Sequence, residues 1–180
     1  MNITKQENSF GDLKELFWKA NEAFIKNNRV LLKRRLSERC LCGALMCELN
    51  KQLEKRKYNK YYADVEFNRD VNDNVDFIKK LPNDEGSIKK IFPDIIVHSR
   101  AQLEPDNLLV FEMKRSSADK TNRYSDKSRL MNMTKLHGNK TAYSYGYLLG
   151  IYYEIAFDKR QILVEVYQDG EKLEEKSLGY

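Results

Sequence analysis

Apolar positions follow two rhythms along this chain. Phe10, Leu13, Phe17, Ala20 and Phe24 recur at helical spacing, with Lys14, Glu15, Lys19 and Glu22 mostly off that stripe. The spacing predicts an amphipathic helix from about 10 to 25, ended by Asn27-Asn28. Leu31, Leu41, Cys42, Leu45, Leu49 and Gln52 share one face at the same repeat, which predicts a second helix from about 30 or 31 to 55. From residue 62 the period drops to two. Ala63, Val65 and Phe67 alternate as a strand would. Residues 69 to 89 are polar and include Pro82-Asn83-Asp84-Glu85-Gly86, a connection long enough to be functional.

Ile91 to Ser99 and Leu108 to Met113 are strand-like on either side of the turn Glu104-Pro105-Asp106-Asn107. Residues 91 to 114 therefore read as a β-hairpin. After a polar linker from 116 to 127, Ser125 or Asp126 would cap a helix carrying Leu130, Met133 and Leu136. Tyr143 to Phe157 reads as a long strand, kinked at Gly146 or Gly150. Gln161 to Tyr167 reads as the last strand, and residues 169 to 180 as a polar tail. The expected class is α/β, a mixed sheet flanked by helices. It would be one domain, with an N-terminal helix (1–28), a core (30–168) and the tail.

Composition narrows this picture. A chain of 180 residues with 41% apolar and 33% charged side chains can bury a core, which excludes wholesale disorder and collagen-like structure. No apolar run approaches the roughly 20 residues of a membrane span, and Met1 to Asn8 is polar, without a secretory leader. A soluble, cytoplasmic protein is expected. Cys40, Cys42 and Cys47 form an odd set with no CxxC pair and read as thiols packed in a helix. The net charge of +5 permits a polyanionic partner. Residues 29 to 60 hold ten Lys or Arg against three acids. That segment is either a solvated face or a phosphate-tracking surface in which Lys55, Arg56 and Lys57 would take part.

The candidate chemistry lies on the hairpin. Pro93-Asp94 opens one arm, and Glu112-Met113-Lys114 ends the other. Residues two apart on a strand share a face, so Glu112 and Lys114 can converge with Asp94. Two carboxylates suit Mg²⁺ or Mn²⁺ with positions left for water and phosphate oxygen. An ammonium beside them can orient the water and offset transition-state charge. The strings Asp12-Leu13-Lys14 and Glu174-Glu175-Lys176 have the same spacing but no acid on a paired strand. Glu38 falls on the apolar face of the second helix, where a carboxylate is costly unless partnered. Either it is delivered toward the cation site or Lys114, or the helix starts later and Glu38 is exposed.

Other residues carry weaker signals. Asp64 and Glu66 read as a solvent face before they read as added carboxylates. Arg69, Arg115 and Arg123 are phosphate contacts or loop cations. His98 reads as structural and His137 as a helix cap. Tyr143, Tyr145 and Tyr147 alternate onto one side, where packing comes before base stacking.

Glu38 on the first core helix, Pro93-Asp94 and Glu112-Met113-Lys114, followed by a helix and a strand, resemble the PD-(D/E)xK phosphodiesterase superfamily, the restriction-endonuclease-like nucleases. The stretches Asp94-Ile95-Ile96-Val97-His98 and Asn107 to Lys114 are similar to small bacterial and mobile-element members. The resemblance covers about residues 30 to 165. It implies an αβββαβ core with an extra N-terminal helix and a Mg²⁺- or Mn²⁺-dependent endonuclease acting on nucleic acid, DNA before RNA, in phage defence or a mobile element. It also implies metal ligands at Asp94, Glu112 and the Met113 carbonyl, water assistance by Lys114, and an auxiliary carboxylate at Glu38. Lys55, Arg56, Lys57 and Arg115 would contact nucleic acid. A homo-oligomer or a partner protein would supply specificity. The competing expectation is a nucleic-acid-binding or assembly protein on the same fold that does not cleave.

Overall fold

A computed structural model describes residues 3–55, 57–72, 75–82, 87–135 and 145–180. The N-terminal half runs α1 (Ile3–Asn27), α2 (Arg29–Lys33), α3 (Glu38–Glu54), β1 (Tyr62–Val65), β2 (Arg69–Asn72), β3 (Val75–Ile78), β4 (Lys80–Pro82) and β5 (Ile88–Lys90). It continues with β6 (Ile95–His98), β7 (Asn107–Arg115), α4 (Lys120–Thr134), β8 (Leu149–Ala156), β9 (Gln161–Gln168) and β10 (Glu171–Gly179). Six strands form one mixed sheet in the order β1-β6-β7-β8-β9-β10. Only β7 and β8 pair in parallel, and α4 makes the crossover that a parallel pair requires.

The sheet is buried on both faces at its centre, which explains the continuous apolar runs of β6 and β7. Ile95, Val97, Leu109, Phe111 and Met113 join the core of Leu13, Phe17, Leu41, Leu45 and Leu49 from α1 and α3. On the opposite face Ile96, Val110 and Tyr152 meet Leu130 and Met133 of α4. The α/β class with helices flanking a mixed sheet is therefore what the chain adopts. Among the described residues no helix is long and apolar enough to cross a membrane.

Several boundaries differ from expectation. The second helix is broken. Arg35 takes left-handed backbone (φ 54°), and Ser37 then caps α3, its hydroxyl accepting the Cys40 N–H at 3.3 Å. Glu38 is thus the first residue of α3 rather than the middle of an apolar stripe. The cap of α4 is Asp119, which accepts the Thr121 N–H at 2.7 Å, so Ser125 and Asp126 lie within the helix. In place of the expected polar connection, the described residues form two small antiparallel ladders, β2–β3 and β4–β5. The tail is the edge strand β10, paired with β9. Its largely exposed, charge-rich pattern hides it from a reading based on burial but suits an edge that must not recruit other strands. Leu136, His137 and Tyr143 lie outside the described residues.

Candidate active site

Antiparallel pairing places Ile95 opposite Phe111. The Asp94 N–H donates to the Phe111 carbonyl at 3.1 Å, one residue out of that register, so Asp94 and Ile95 both lie across from Phe111, the pattern of a β-bulge. Glu112 shares the face of Val110, the α4 side, whereas Asp94 lines a cleft with Cys42, Arg39 and Glu66 on the α3 side. Asp94 Oδ2 accepts the Met113 N–H at 2.7 Å, which fixes the carboxylate across the two arms.

Two helices complete the cluster. From α4, Arg129 Nε donates to Glu112 Oε1 at 3.0 Å, and the same guanidinium pairs with Asp126. Residues three apart on a helix share a face, so Asp126 and Arg129 reach the sheet together. Asp126 Oδ2 lies 3.1 Å from Lys114 Nζ. From the first turn of α3, Glu38 Oε1 accepts the Arg115 N–H at 2.9 Å, and its Oε2 lies 3.9 Å from Lys114 Nζ. Two open clefts meet at Glu38. One of about 220 Å³ is lined by Asp94, Arg39 and Glu66. The other, about 300 Å³, is lined by Lys114, Asn122, Asp126 and Arg129.

Glu112 is 1% exposed. Burial pushes its carboxyl up to about 8; Arg129 opposes the rise while Asp94 and Asp126 add to it. Burial also raises Asp94, against the Met113 N–H and the Lys114 ammonium. Burial pulls Lys114 down, but Asp126, Asp94 and Glu112 outweigh it and hold the ammonium above its ordinary value. Arg129 is raised as well, with Glu112 and Asp126 overcoming the cost of burial. Among the described residues Asp94, Glu112, Asp126 and Glu38 are set against Lys114 and Arg129, while Arg39, on the same cleft as Asp94, is paired with Glu66. Fully ionised, the cluster would carry a formal excess of two negative charges, the charge of one divalent cation.

The donor set fits such a cation. Among the described residues no group of three or more His, Cys, Asp or Glu stands as a ready-made metal cage. Mg²⁺ characteristically takes one or two carboxylates and completes its shell with water and phosphate, which matches the pair Asp94 and Glu112.

No family model matches this chain, and no curated protein or solved structure matches it.

The other candidates fall in different places. Lys55 and Lys57 lie past the C-terminal end of α3, about 25 Å along its axis from Glu38 at 1.5 Å per residue, and Lys57 is paired with Asp12. They are not brought to the site, contrary to the expectation that the basic segment shares its groove; Arg56 lies outside the described residues. The Arg115 guanidinium donates to the Leu36 carbonyl at 2.8 Å and lies 5.7 Å from the Phe157 ring centroid. It therefore braces the break between α2 and α3. Arg123 pairs with Glu154. Asp64 is taken up by Arg100 and by His98 at 3.0 Å, whereas Glu66 pairs with Arg39 at the cleft. Tyr147 is fully buried, and Cys42 Sγ packs 3.7 Å from Met113 Sδ.

Asp126 and Arg129 are the members that sequence reasoning missed. An acid and a base three apart, interleaved with the apolar positions Leu130 and Met133, were the available signal.

The raised Glu112 carboxyl sets a pH dependence. Its ordinary value is 4.5 and its folded value about 8, so the folded state favours the proton. The stability this contributes is complete below about 4.5 and is lost as pH rises through 8. In EDTA the thermal midpoint of the wild type should fall between pH 5 and pH 8.5 more than that of Glu112→Gln. Parallel curves would show that Glu112 is not the group responsible.

Proposed function

We propose that this chain is a divalent-metal-dependent nuclease of the PD-(D/E)xK type, hydrolysing phosphodiester bonds of nucleic acid, DNA before RNA. The observation that carries the reading is the charged cluster in which Asp94, just before β6, accepts the Met113 N–H between Glu112 and Lys114 of β7. The order α3–β1–β6–β7–α4–β8 within the main sheet supports a restriction-endonuclease-like core, with α1 as the extra helix and β9–β10 extending it.

Asp94, Glu112 and the Met113 carbonyl would hold Mg²⁺ or Mn²⁺. When bound, the ion supplies Lewis acidity toward the phosphate and a more acidic water. The remaining work belongs to side chains. Lys114 offsets charge developing on the phosphate oxygens. Asp126 aims that ammonium and keeps it protonated, so Lys114 acts as an electrostatic and orienting group rather than a free base. Arg129 fixes the Glu112 carboxylate, and Glu38 ties α3 to the end of β7 through the Arg115 N–H. The setting that suits such a protein is cytoplasmic, in phage defence or a mobile element, with a second copy or a partner adding specificity.

A non-cleaving nucleic-acid-binding protein is favoured by one observation: Arg129 already neutralises Glu112. Incubating the protein with labelled DNA and RNA, single- and double-stranded, with Mg²⁺, Mn²⁺ or EDTA separates the two readings. Divalent-dependent nicking is expected. Salt-sensitive binding with no cleavage between pH 7 and 9 would replace the nuclease with the binding protein.

A further inference from the structure

The flank of α4 turned away from the site holds a cleft that the proposed reaction does not use. It lies between α4 and strands β9 and β10 and measures about 400 Å³, larger than either cleft at the site. Glu165 lines it and is 3% exposed. A carboxylate so buried must be partnered. Here Lys127 and Lys172 share its Oε1 at 2.7 and 3.8 Å, which puts the two ammonium nitrogens at most 6.5 Å apart. Lys135 is a third cation on the same lining. Lys172 also pairs with Glu175 at 2.7 Å, so three ammonium groups stand against two carboxylates, a local excess of one positive charge that an external anion would relieve.

The rim adds a second kind of contact. Tyr124 is 69% exposed and Met131 40% exposed, and both line this cleft. An adjoining cleft shares Tyr124 and Lys127 and adds Lys120 and Arg123. Cations interleaved with an exposed aromatic ring are the surface that single-stranded nucleic acid uses, phosphates on the charges and a base on the ring. From Lys120 to Lys135 the helix runs about 22 Å at 1.5 Å per residue. That is room for about six nucleotides at 3.4 Å each.

We infer that this groove carries a single strand of nucleic acid, with phosphates on Lys127, Lys135 and Lys172 and a base stacked on Tyr124. The inference rests on the nucleic-acid substrate proposed above and adds the path of the strand, over α4 rather than along the basic segment from 29 to 60.

The test is fluorescence anisotropy of a short labelled single-stranded oligonucleotide with the full chain, in EDTA, over a salt series. Lys127 is left intact because it partners the buried Glu165. K135E/K172E should weaken binding at low salt by at least about tenfold and reduce the slope of log Kd against log salt by about 1 to 2. Tyr124→Ala should weaken binding about tenfold. K135R/K172R, which keeps the charges, should bind like the wild type. Wild-type affinity and slope in both K135E/K172E and Tyr124→Ala would overturn the inference. So would a wild type that binds no oligonucleotide, or an equal loss in the arginine pair. Binding without divalent ion is independent of hydrolysis. A protein that binds through this groove but never cleaves removes the nuclease reading alone. One that cleaves with an unchanged salt slope in K135E/K172E removes the groove alone.

Discussion

Glu112→Gln should lower divalent-dependent hydrolysis by more than about a hundredfold. The substitution keeps shape and removes the charge that a cation needs, and the amide cannot replace it as a hard anionic ligand. Asp94→Asn should behave alike, with one difference: Asp94 Oδ2 also accepts the Met113 N–H, and an asparagine oxygen can keep that bond while the charge is lost. Both variants should bind Mn²⁺ more weakly in a calorimetric titration. Lys114→Ala should keep most of the metal affinity and lose the rate by about 10²- to 10³-fold, the scale of one preorganised electrostatic contact. The combined readout matters because Arg129 also holds Glu112. A change in folding alone would reduce metal binding and rate together in all three. Hydrolysis at the wild-type rate in Glu112→Gln would end the catalytic assignment.

Asp126→Ala should destabilise the protein by about 3 kcal/mol. Asp126 is buried, with its two oxygens shared between Arg129 and Lys114. Removing it leaves two cations facing each other without their common anion. Breaking a buried pair costs about 3–5 kcal/mol. The lower end applies here because the side chains of Lys114 and Arg129 remain 19% and 28% exposed and can recover water. For a chain of this size the thermal midpoint should drop by about 6 to 12 °C. Asp126→Asn keeps the acceptor on one side and should lose less. A midpoint unchanged in Asp126→Ala would mean that the network is solvated and adds nothing to the fold.

How far the sequence discloses this arrangement depends on which force positions each part. The β6–β7 hairpin is legible because burial on both faces produces apolar runs bounded by Asp94 and Glu112, and strand periodicity then puts Glu112 and Lys114 on one face. The first and third helices are legible for the same reason. The break before α3 is not, because it rests on one left-handed residue, Arg35, and one capping hydroxyl, Ser37, against an apolar pattern that runs straight through. β10 is held mainly by backbone pairing to β9, which leaves little mark on side-chain pattern. The role of Asp126 is hidden by its type. At the sequence level an aspartate before a run of apolar positions reads as a cap, and only the docking of α4 shows that Asp119 has that task. The count of cations from 29 to 60 does not show that Arg35, Arg39, Lys51 and Lys57 are each paired with an acid, distant or near in the chain.

One further consequence follows from how the site is put together. The motif residues Asp94, Glu112 and Lys114 lie close in sequence, but the contacts that organise them reach back to Glu38 and forward to Asp126 and Arg129. During synthesis, which proceeds from the N-terminus and lets early segments fold first, the whole motif emerges before α4 does. A nascent chain stopped short of residue 126 would have its carboxylates unsupported and its ammonium unaimed. Assembly of the cluster is thereby postponed until α4 docks on the sheet.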